Sequence, residues 1–170
     1  MSRFTMTHEF ECSVDDFWSK VFFDRDMNDA MFRKSLGFPE YTVLDLRDTD
    51  AETFRKVSVT PKMDIPSAVA KVIGPNFKYV EETRFDKKTR TATYKVTPNT
   101  LTDKMTTEGT IRVEAIGPTR CRRTVDTNLE ARVMIIGSLL ESTAQKNMRE
   151  GYDKGAVFMN QWIREKGFDK

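Results

Sequence analysis

Over residues 3–12 the chain alternates: Phe4, Met6, His8, Phe10 and Cys12 fall on one side, Arg3, Thr5, Thr7, Glu9 and Glu11 on the other. A period of two marks a strand with one buried face. Residues 121–133 repeat the pattern, with Cys121, Arg123, Val125, Thr127, Leu129, Ala131 and Val133 sharing a face. Between them, residues 41–47, 53–60, 77–85, 91–97 and 106–116 read as further strands. Turn chemistry at 86–88 and at Gly117 and Pro118 separates some of them. From 135 to 166 the period becomes helical. Ile136, Leu140, Ala144, Met148, Tyr152, Ala156, Met159 and Ile163 recur at steps of three or four, which stacks them on one face of a long helix. A helix with such a stripe must cover it with something.

Two short helices are expected after the first strand. Ser13 offers an N-cap, Asp15 and Asp16 suit the first turn, and Val14, Phe17, Trp18, Val21 and Phe22 point inward. The second is predicted over 26–36, with Met27, Ala30, Met31 and Leu36 inward and Gly37 ending it. Residues 61–74 break the strand pattern. Asp64 or Ser67 can cap a brief helix carrying Val69, Val72 and Ile73, a longer connection than a hairpin needs. It reads either as a cover for a sheet edge or as a lid. The order strand, two helices, about six strands, long helix is that of an α+β chain with an antiparallel sheet packed on one face.

At 170 residues the chain is expected to form a single domain, residues 1–170, long enough to bury a substantial core. Lys and Arg number 28 against 26 Asp and Glu, so the net charge of +2 argues against a nucleic-acid footprint. The run Arg120, Arg122 and Arg123 reads as an exposed turn entering a strand. Twelve Phe read as buried filler or cavity wall, and nine Met suit an interior with irregular or exchangeable contents. Two cysteines, Cys12 and Cys121, make neither a disulfide framework nor a metal set, though one bridge between them is open. No basic-then-apolar segment opens the chain and no apolar run reaches the ~20 residues of a membrane span. A soluble, cytoplasmic protein is expected.

Three stretches carry a resemblance: Thr7-His-Glu-Phe-Glu-Cys-Ser-Val-Asp-Asp-Phe-Trp18, the 61–74 connector, and Met105-Thr-Thr-Glu-Gly-Thr-Ile-Arg-Val113 leading into 121–133 and the final helix. Together they resemble the START-like or SRPBCC superfamily, the helix-grip fold, and more narrowly its bacterial DUF2505 branch. A looser similarity runs to the PRELI-like and VASt lipid-transfer domains. The resemblance implies a curved antiparallel sheet of about seven strands wrapped around the terminal helix, with two short helices after strand 1 and an apolar ligand between sheet and helix.

The candidate chemistry is sparse. His8, the only histidine, falls on the apolar face, as a satisfied core residue or as a partner for a ligand head group. Arg123 shares a face with Val125 and Thr127. An inward Arg needs an acidic partner, either Glu81 or an anionic ligand, unless a bulge turns it to water. Glu81 and Glu82 must split between the two faces of their strand. Tyr94, Thr127 and Tyr152 offer hydroxyls. The expected ligand-binding set is His8, Phe10, Ile65, Val69, Tyr94, Val113, Arg123, Thr127, Met148, Tyr152 and Met159. No catalytic triad, metal site or cofactor motif is present. The leading expectation is a non-catalytic, monomeric carrier of a phospholipid, fatty acid, sterol or other hydrophobic molecule, with transient membrane contact through 61–74 and no nucleic-acid partner. A polyketide cyclase or dehydratase using the same cavity is the alternative, and a filled interaction module the third reading.

Overall fold

The computed structural model describes all 170 residues, Met1–Lys170. The elements run β1 (Ser2–Phe10), α1 (Val14–Asp16), α2 (Arg25–Ala30), β2 (Glu40–Asp48), β3 (Glu52–Thr60), α3 (Ser67–Ile73), β4 (Tyr79–Asp86), β5 (Thr91–Pro98), β6 (Met105–Gly117), β7 (Arg120–Ala131) and α4 (Gly137–Lys166). Both early helices widen into π-helical turns, Phe17–Phe22 after α1 and Met31–Ser35 after α2. The widening is visible in the Phe23 N–H bonding the Trp18 carbonyl at 3.3 Å and Leu36 bonding Met31 at 2.9 Å, each five residues back.

All seven strands form one antiparallel sheet in the order β1-β7-β6-β5-β4-β3-β2. The sheet curves around α4, which packs on β1 and β7 and on the turns after α2. The architecture is the α+β helix grip, with short helices after the first strand. The α4 start is tied down by Glu141, which accepts from Ser2 Oγ at 2.7 Å and from the Ala131 N–H at 3.1 Å. Further along, the Asn160 side chain accepts from the Glu11 N–H at 3.0 Å and donates to the Glu9 carbonyl at 2.9 Å.

Caps set the boundaries. Ser13 Oγ accepts from the Asp16 N–H, and Asp24 Oδ1 from the Met27 N–H at 2.8 Å, so α2 opens at Arg25. The long helix opens at Gly137, two residues later than the periodicity predicts, because Ile135 sits at φ 75°, outside helical space. β7 ends at Ala131, and Val133 instead accepts from the Gly137 N–H at 2.9 Å in the turn that follows. Phe77 precedes β4, whose pairing begins at Tyr79. Cys12 lies past β1. It and Cys121 are both buried and free.

The concave face divides. A large core gathers Phe4, Met6, Phe10, Phe17, Trp18, Phe85, Ile111, Val125 and Ile163. A smaller one joins Val69 and Ile73 of α3 to Ala131 and Leu140. Thus α3 caps the end of β7 and the start of α4, with Val69 and Ile73 turned inward and Lys71 exposed. One glycine is required by packing. Gly109 on β6 lies between Tyr94 of β5 and Thr127 of β7, in register with both. A Cβ there would stand 2.0 Å from the Asp126 carbonyl oxygen. Its absence lets the Tyr94 hydroxyl cross the strand and meet the Thr127 hydroxyl at 2.5 Å.

Candidate functional site

Midway along α4 the apolar stripe loses its contacts. Leu140, Ala156, Met159 and Ile163 are buried, but Ala144, Met148 and Tyr152 are only half-buried. They face a cavity of about 290 Å³ between helix and sheet. Gly151 lines it too, and a Cβ built there would have no atom within 4 Å. The opposite wall comes from Phe22, Met31 and Phe32 of the early helices, from Met63 after β3, and from Phe77, Tyr79, Val96, Met105 and Leu129. Exposed Lys62, Glu150 and Lys154 stand at the rim. The walls are mostly apolar with a few placed polar groups, the usual make-up of a small-molecule site.

Those polar groups come from inward strand positions. Arg55 shares the parity of Val57 and Val59 on β3. It donates to the Phe22 carbonyl at 2.5 Å, and its guanidinium lies over the Phe22 and Phe23 rings at 4.7 and 5.1 Å. Glu81 on β4 accepts from Thr83 Oγ1 at 3.4 Å and makes no ion pair. Burial pushes its carboxyl up from the usual range, and the positive field of Arg55 opposes that only in part. Glu81 is half-buried and lines the cavity. Glu82, its neighbour, turns outward to Lys56 at 3.6 Å. The Tyr152 and Tyr79 hydroxyls face the same space without a protein partner, and burial raises both.

Arg123 is the least compensated group. β7 stays in register at Arg123, while the irregularity of this hairpin falls opposite, between Ala115 and Gly117. The side chain therefore turns inward and is 2% exposed. Its Nη2 donates to His8 Nδ1 at 3.2 Å, Nη1 approaches Met159 Sδ at 3.8 Å, and Nε has no partner. The Phe10 and Tyr152 rings flank it at 5.0 Å each. Because His8 Nδ1 accepts, Nε2 carries the proton and donates to Asp153 Oδ1 at 2.7 Å. Burial lowers the His8 pKa, favouring this neutral form. Arg120 and Arg122 do face solvent, both paired with Glu9.

Of the residues expected to touch a ligand, Arg123, Met148, Tyr152 and Met159 come together on the wall. His8 stands behind Arg123 rather than on the wall. Phe10 and Val113 belong to the packed core, Tyr94 and Thr127 satisfy each other, and Val69 and Ile65 belong to the small core under α3. Arg55, Tyr79, Met31 and Met105 were missed. For Arg55 the signal was present, since strand parity places it inward; the others become neighbours only through the curvature of the sheet. No group of three or more His, Cys, Asp or Glu is placed to hold a metal ion, and no helix is long and apolar enough to cross a membrane.

The DUF2505 family model, described as a protein of unknown function, matches residues 5–163. The chain belongs to the DUF2505 family. This DUF2505 member has START-like structural neighbours. The Zhui aromatase/cyclase from Streptomyces sp. R1128 superposes with a TM-score of 0.66 at 10% identity, covering 97% of this chain and 94% of that one. A START superfamily protein from Mycobacterium smegmatis gives 0.56 at 12% identity, covering 96% and 97%. Norcoclaurine synthase from Thalictrum flavum, solved with dopamine and hydroxybenzaldehyde, gives 0.62 at 14%, covering 96% and 87%. At these identities the likeness is one of fold. No curated protein matches the chain by sequence.

Proposed function

We propose that this DUF2505 chain binds a hydrophobic molecule between sheet and C-terminal helix and serves as its carrier. The observation behind this reading is the hollow itself, about 290 Å³ with predominantly apolar walls, beneath a helix whose stripe is otherwise buried. That volume lies near the lower end of the range of small-molecule sites. Met31, Met63, Met105, Met148 and Met159 around the space suit a range of shapes. Burying apolar ligand surface contributes roughly 25 cal/mol per Å². Native mass spectrometry of protein purified from cells tests the reading, with Gly151→Phe as the control. A co-purifying small molecule that the Phe variant loses while staying folded supports it. A protein that takes up no apolar ligand, offered any of several classes, would refute it.

One observation favours a second reading, proton-transfer catalysis of the cyclase kind. Glu81 is a desolvated carboxyl without an ion-pair partner, its pKa raised by burial, on a wall it shares with the unpartnered Tyr79 and Tyr152 hydroxyls. Turnover of small phenolic or polyketide-like substrates that vanishes in Glu81→Gln would establish it, and absence of turnover leaves the carrier.

A further inference from the structure

Arg123 presents a problem of charge. A guanidinium taken out of water needs oxygen acceptors, and a buried ion without them costs several kcal/mol. Arg123 has none. Its contacts are a thioether sulfur, an imidazole nitrogen and two aromatic faces, and its Nε is orphaned. The only carboxylate in the chain of contacts is Asp153, one residue removed through His8. Asp153 is 73% exposed, so water screens most of what it offers. Arg55, the other buried cation of the wall, differs. It already holds a backbone carbonyl and lies in the field of Glu81. Along the wall, Arg55, Lys62, Arg123 and Lys154 outnumber Glu81 and Glu150. Burial draws the Arg123 pKa down only to about 10, so the group is charged at neutral pH.

Resting on the hydrophobic-ligand reading, we propose that the ligand is an apolar monocarboxylate whose head group is bound by Arg123 and whose tail fills the hollow under Met148 and Gly151. The carboxylate supplies the oxygen acceptors that the guanidinium lacks. The Tyr152 ring holds the guanidinium from one side, and the neutral His8, anchored by Asp153, orients it from another. This makes Arg123 the specificity determinant of the cavity, separating acids from esters, alcohols and amides of the same shape.

The test is calorimetric titration at pH 7.5 with decanoate, methyl decanoate, decanol and acetate. A charge-assisted hydrogen-bond pair is worth about tenfold to a hundredfold in affinity. Decanoate is expected to bind wild-type protein tighter than its ester and alcohol by that factor, with acetate far weaker. In Arg123→Met the preference is expected to vanish while ester binding persists, and Arg123→Lys should recover part of it. Equal binding of acid and ester by wild-type protein overturns the inference and leaves the apolar cavity standing. This comparison needs no variant and so survives a variant that fails to fold. A preference that persists in folded Arg123→Met also overturns it, by moving the head group to another cation. Binding of none of the decanoyl probes refutes both the inference and the hydrophobic-ligand reading for this size class.

Discussion

The same helix meets the same sheet face in two ways. Around Phe10, Phe17, Trp18, Val125 and Ile163 the contact is closed, with ring centroids of Phe10 and Phe17 4.8 Å apart and little or no exposed surface. Under Ala144, Met148 and Gly151 it is open, over about 290 Å³. Polar groups follow the same division. Tyr94 and Thr127 satisfy each other over Gly109, whereas Tyr152 has no hydroxyl partner, Arg123 no carboxylate and Glu81 no ion pair. On the helix side the open region presents Ala144, Gly151 and unbranched Met148, whereas the closed one is filled by the Phe10, Phe17 and Trp18 rings, with Phe22 bordering both. The closed region supplies the stability that lets the open one keep costly polar groups in place.

Substitutions can break this contrast. The largest effect belongs to the closed region: Phe10→Ala removes a fully buried ring and is expected to cost about 3–5 kcal/mol in urea unfolding. In the open region Met148→Ala should cost clearly less, about 1–2 kcal/mol, because part of its surface already faces empty space. Equal losses at the two positions would mean that the hollow is filled by side-chain rearrangement in solution. Gly151→Ala should raise the unfolding free energy by up to about 1 kcal/mol, since a helical glycine is replaced where the new methyl meets nothing. The smallest effect is one of pH. Burial holds His8 below its ordinary value of 6.5, so the unfolded chain takes up that proton first. The stability linked to neutral His8 is complete above about pH 6.5 and is lost as pH falls through the folded-state value. Glu81, pushed above its ordinary 4.5, acts oppositely: its contribution is present below pH 4.5 and lost as pH rises through its folded value. Unfolding curves between pH 5 and 7 should therefore lose an acid-side decline in His8→Gln and gain neutral-side stability in Glu81→Gln.

Much of the fold was readable along the chain. The alternation in β1 and β7 and the stripe of α4 are local periodicities, and both were recovered within a few residues. Where boundaries moved, single residues decided, such as Ile135 at φ 75° and Asp24 capping α2. The site was less readable. Tyr94 and Thr127 looked like free hydroxyls because nothing local says that Gly109 lies between them in register. The 61–74 connector could be a cover or a lid by its sequence; α3 buries Val69 and Ile73 against Leu140, while only Pro61, Lys62 and Met63 reach the cavity.

By itself the sequence determined which side chains had to leave water, because a period of two or of 3.6 assigns each residue a face. It did not determine what those faces would meet. Whether Met148 touches a ring or a void, and whether Arg123 finds a carboxylate or none, depends on how far the curved sheet carries distant strands from the helix. That spacing is set by side-chain volumes summed over elements far apart in the chain, and only the assembled structure performs the sum.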